Sequence, residues 1–69
     1  MNKFKIEIAS VSDRDKLVAE IWFGESLIAE VNQENDQLQI EFYSIQKKVF
    51  DLNDFLDVLV VAKNKLLGK

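Results

Sequence analysis

Cysteine and histidine are both missing from this 69-residue chain, and glycine occurs only twice. No disulfide can staple the fold, and the common structural zinc sites lose their ligands. Ser-His and Cys-His nucleophile pairs are excluded, and so few glycines do not make a P-loop or a dinucleotide-binding turn. No apolar run spans a bilayer either: the longest, Val58 to Ala62, falls far short of the roughly 20 residues needed. Positive charge is also scarce. Nine basic residues face twelve acidic ones, a net charge of −3, so electrostatics oppose binding to a phosphate backbone. The expectation is a chain that is not an enzyme, holds no cofactor, and binds neither nucleic acid nor membrane.

What is present is a globular composition, 48% hydrophobic and 30% charged. The length suits a single domain, residues 1–69, whose core comes from apolar packing. A chain this short buries only about 60% of its unfolded surface, so its stability is modest and self-association would help it. Met1-Asn2-Lys3 leads straight into a strand pattern without an apolar h-region, so no signal peptide is expected. The absence of cysteine suits a reducing compartment. A soluble, cytoplasmic protein is expected.

Hydropathy alternates with period two through four segments. In residues 3–12, Phe4, Ile6 and Ile8 face one way and Lys5 and Glu7 the other. In 17–23 the inward set is Leu17, Ala19, Ile21 and Phe23, and the outward set is Val18, Glu20 and Trp22. Leu27, Ala29 and Val31 alternate with Ile28, Glu30 and Asn32. Leu38, Ile40 and Phe42 then alternate with Gln39, Glu41 and Tyr43 in 37–44. Turns are predicted at Asp13-Arg14, at Gly24-Glu25-Ser26 and at Asn35-Asp36. The period then changes to that of a helix over 52–67. Asp51 is its N-cap with Asp54 three residues on, Phe50 and Phe55 form a hydrophobic staple, and Gly68 is its C′ residue. The pattern predicts an α+β fold, ββββα: a four-stranded antiparallel meander with one C-terminal helix packed on its inner face.

Inner residues must pair with inner residues, because a one-residue slip flips the face. That condition and the short turns pair Ile8 with Ala19, Ala19 with Val31, and Val31 with Ile40. On the outer face they set Glu7 beside Glu20, Glu20 beside Glu30, and Glu30 beside Glu41. Like charges directly opposite each other destabilise a sheet. The row is either diluted by solvent or an acidic patch for a basic partner. A metal site suits it poorly, since ligands in a row do not converge. Beside it runs a second row, Lys5, Trp22, Ile28 and Tyr43, with Lys5 in reach of the Trp22 ring. These residues are either cross-strand pairs that stabilise a thin sheet or the anchors of a protein interface.

The helix has an apolar arc of roughly 200°, from Val58 through Leu59 and Leu52 to Val60, wider than one sheet face uses. Val61 falls in the polar arc, and Lys63 must snorkel out of the apolar one. Either the sheet curls around the helix, with Val49 and Phe50 filling the flank, or the helix edge forms a dimer contact.

The run Ala19-Glu20-Ile21-Trp22-Phe23, then Ile40-Glu41-Phe42-Tyr43, then Phe50-Asp51-Leu52 and a helix ending Leu66-Leu67-Gly68 resembles small bacterial ββββα proteins. Some of those resemble immunity proteins that neutralise toxins. The resemblance rests on fold-level patterning over nearly the whole chain and implies a binding protein without catalysis. The expected function is a small acidic inhibitor or immunity-type module. It would use Lys5, Glu7, Glu20, Trp22, Ile28, Glu30, Glu41 and Tyr43 against a protein with a basic surface. The alternatives are an accessory homodimer, through the outer face or the helix edge, and a phage-type inhibitor.

Overall fold

Residues that alternate apolar and polar bury one face as strands, and four such strands form in this chain. The structure, a computed structural model, describes residues 3–12, 15–43 and 47–68, with only the backbone at Asn35. Strands β1 (Phe4–Ala9), β2 (Val18–Phe23), β3 (Ser26–Asn32) and β4 (Gln39–Phe42) pair antiparallel in the order β1-β2-β3-β4. Helix α1 (Leu52–Leu66) follows and packs on the sheet, giving ββββα.

The register is the expected one along the glutamate row and along the core row beside it, but the expected Trp22–Ile28 pair is replaced by Trp22–Leu27. Ile8 faces Ala19, Ala19 faces Val31, and Val31 faces Ile40; Glu7, Glu20, Glu30 and Glu41 form one continuous row. Two of the connections that set it differ from expectation. Phe23 pairs with Ser26, so the β2–β3 turn holds two residues, Gly24 and Glu25, and not three. Gly24 takes a φ of 61° at the first central position, where a II′ hairpin favours glycine. A β-bulge between the Trp22–Leu27 and Ile21–Ala29 pairs then adds one residue on β3 and restores the offset. The β3–β4 ladder stops at Asn32–Gln39. In place of a two-residue turn at Asn35-Asp36 stands a short 3₁₀ turn, Glu34–Asp36, that ends with Asp36 at φ 62°. The Asn32 Oδ1 accepts from the Glu34 N–H at 3.3 Å and starts that turn. The predicted Asp13-Arg14 turn lies outside the described residues.

The helix begins as its sequence requires. Asp51 Oδ2 accepts from the Asp54 N–H at 3.0 Å, and the Phe50 and Phe55 rings stack 5.6 Å apart. At its other end Gly68 has a φ of 74°. All five phenylalanines meet here: Phe4 packs on Phe23, Phe50 and Phe55, and Phe42 stacks on Phe55 at 6.4 Å.

One helix about 10 Å wide cannot cover four strands spaced roughly 4.8 Å apart. It settles over β1, β2 and β3, so Val58 and Ala62 are buried against Ile6, Ala19, Ile21, Ala29 and Val31. Relative to the hydrophobic arc of its own sequence, α1 is rolled towards the β1 side. Val61, expected in the polar arc, packs on the core, while Leu52, Leu56 and Val60 are exposed. The expectation that Ile8, Leu17, Leu38, Ile40 and Phe42 would be covered is corrected as well: they remain 39% to 59% exposed.

Candidate protein-binding face

The face of the sheet opposite α1 carries the glutamate row, and β1, β2 and β3 each hold their carboxylate with a same-face neighbour two residues away. On β1 the Lys5 Nζ lies 2.7 Å from Glu7 Oε1. On β2 the Trp22 Nε1 donates to Glu20 Oε1 at 3.3 Å. On β3 the Asn32 Nδ2 donates to Glu30 Oε2 at 2.9 Å. A fourth bond crosses strands: the Tyr43 hydroxyl, next to the end of β4, donates to the other oxygen of Glu30. The alternation of strand side chains creates these i, i+2 contacts, because residues two apart share a face.

The burial along the row is uneven. Glu30 is 2% exposed, Glu20 and Glu7 are half-buried, and Glu41 is exposed. A buried carboxylate is stable only where donors replace its water, and Tyr43 and Asn32 supply two. Glu30 therefore acts as the internal anchor of the face and is not a surface residue. Asn32, also buried, is the residue that the pattern did not single out. Its position two residues from Glu30 on the same face was the available signal.

Of the eight residues expected on this face, Lys5, Glu41 and Tyr43 are exposed, and Glu7, Glu20 and Trp22 are half-buried. Ile28 differs: it is the added residue of the bulge, is 2% exposed, and belongs to the main core cluster. Leu27 takes the position opposite Trp22 in its place. Lys5 pairs with Trp22 in the ladder, but its ammonium sits on Glu7. On the β1–β2 side the face opens as a shallow depression of about 320 Å³ lined by Lys5, Glu7, Trp22, Gly24 and Glu25, while Glu41 and Tyr43 are exposed on the far side of the buried Glu30. It offers an aromatic ring beside two carboxylates, the chemistry that receives a guanidinium or ammonium group.

Among the described residues no three carboxylates converge on a point that could hold a metal ion, and no helix is long and apolar enough to cross a membrane. Comparison with protein-family models, with curated proteins and with solved structures finds no match for this chain.

Proposed function

We propose that this chain is a small acidic protein-binding module that meets a basic surface on another protein with the sheet face opposite α1. The observation that carries the reading is the glutamate row itself. Three like-charge neighbours in succession, Glu7–Glu20, Glu20–Glu30 and Glu30–Glu41, work against the sheet that holds them. One of the four is moreover buried and held by two side-chain donors. A face meant only for water needs none of this. A basic partner would turn the repulsion into attraction and speed the encounter. Trp22 and Tyr43 are the anchors, Glu7, Glu20 and Glu41 steer, and Lys5 sets the edge of the depression. The inhibitor or immunity-type role fits this picture as one protein capping a basic site on another.

The test compares immobilised wild-type chain with Trp22→Ala and Glu41→Lys for protein recovered from lysate at low and raised salt. Glu41 is chosen because it is exposed, so its reversal leaves the fold intact. Recovery of one partner should fall in both variants and with salt; loss of a central aromatic anchor weakens such contacts by about thirtyfold or more. Equal recovery by all three folded proteins contradicts the reading.

A further inference from the structure

The two edges of the sheet are treated differently. β1 carries Lys5 and Glu7, paired with each other, and such charge blunts an edge. β4 has one charged residue, Glu41, no lysine and no proline, and lies beside the three strands that α1 covers, meeting the helix through the Phe42–Phe55 ring contact. Its helix-side residues Ile40 and Phe42 and the adjoining Leu38 are exposed, and so are Leu52 and Leu56 on α1. Between β4 and α1, Val31, Leu38, Gln39, Ile40, Leu59 and Lys63 line a mainly apolar groove of about 210 Å³. An apolar patch that runs from a sheet edge onto a helix is the signature of an interface.

The backbone shows what can pair there. The Tyr43 N–H donates to the Ile28 carbonyl at 2.9 Å, so residues 39, 41 and 43 aim their peptide groups at β3. Leu38, Ile40 and Phe42 consequently aim theirs out of the sheet. Two copies of β4 set antiparallel about a two-fold axis at Ile40 pair Ile40 with Ile40 and Leu38 with Phe42 on the helix side. On the other side each Glu41 lies opposite a Gln39. An axis at Glu41 would instead set Glu41 against Glu41, and one at Gln39 would set Phe42 against Asp36. Only the Ile40 axis joins apolar to apolar without opposing like charges.

We propose that β4 pairs with β4 of a second copy of this chain, making one eight-stranded antiparallel sheet with both helices on the same side. The occupant is chosen by self-complementarity: the strand supplies its own apolar partner, its own hydrogen-bonding register and an amide for each carboxylate. The acidic face is left open, doubled across the dimer, so this proposal stands whether or not that face binds a partner.

Sedimentation equilibrium across the micromolar range tests it. Wild type should sediment at twice the chain mass, Trp22→Ala should do the same, and Ile40→Pro should be a folded monomer. Proline there removes only an outward N–H, which an edge strand tolerates. A monomeric wild type overturns the proposal, and so does a folded Ile40→Pro that remains dimeric. If Ile40→Pro fails to fold, single cysteines decide. Ile40→Cys and Ile8→Cys are comparably exposed, at 39% and 40% for the parent residues, in a chain with no other cysteine. Cysteines that face each other at the axis lie within disulfide reach. Dilute oxidation should therefore link Ile40→Cys into a dimer and leave Ile8→Cys a thiol. Equal linkage of the two, or linkage of neither, overturns the proposal.

Discussion

Glu30 carries the most constrained chemistry in the molecule. Both of its carboxylate oxygens accept from side chains, Asn32 on its own strand and Tyr43 beyond β4. Removing the Tyr43 hydroxyl leaves one buried acceptor short of a donor, which costs about 1–3 kcal/mol. Tyr43→Phe should lower the urea midpoint accordingly with an unchanged slope. By the same reasoning Glu30→Lys should unfold the domain or lower its midpoint far more than Glu41→Lys, which places the same charge change on an exposed side chain. Equal effects of the two reversals would mean that Glu30 is not buried. The row was legible in the sequence because inner residues must pair with inner residues, and the longer connections and the bulge that the structure uses keep the same offset as the predicted turns. The burial of its third member was not legible. Nothing in the letter Glu distinguishes a buried carboxylate, and the donors that make it tolerable sit apart in the chain, Asn32 on β3 and Tyr43 just past β4.

At the scale of elements, the local signals and the tertiary ones separate cleanly. The helix start was written in Asp51, Asp54, Phe50 and Phe55, all within one turn, and these contacts are present. Asp51→Ala should cost about 1 kcal/mol in urea unfolding followed by helical circular dichroism. The bulge was not written in the same way. Leu27 and Ile28 are adjacent apolar residues in Ser26–Asn32, so period two cannot choose which of them faces the core. The rotation of α1 was hidden for a related reason. Leu52, Leu56 and Val60 on one flank are as apolar as Val58 and Val61 on the other. Only the width of the sheet against that of one helix decides which flank is buried. Had the helix been centred on the sheet, β4 would have been covered and the outer strand would carry no apolar surplus.

Across the whole molecule the two proposed contacts would use different surfaces. The β4 edge and the flank of α1 are apolar and self-complementary, and they account for a small core that leaves several large side chains uncovered. If the second copy covers them, the thermal midpoint should rise with chain concentration in the wild type and lose that dependence in Ile40→Pro, because association stabilises by mass action. The glutamate face is polar, held by its own hydrogen bonds, and does not need the dimer. If the row is kept for a basic partner, it costs the fold stability. The most direct measurement is the unfolding free energy of Glu20→Gln in urea at low salt. Glu20 is flanked by Glu7 and Glu30, and a glutamine oxygen can still accept from the Trp22 Nε1. The variant should be more stable than wild type by about 0.5–1 kcal/mol, and added salt should narrow the gap by screening the repulsion. A Glu20→Gln protein less stable than wild type would contradict the account, since the carboxylate row would then be part of what holds the sheet together.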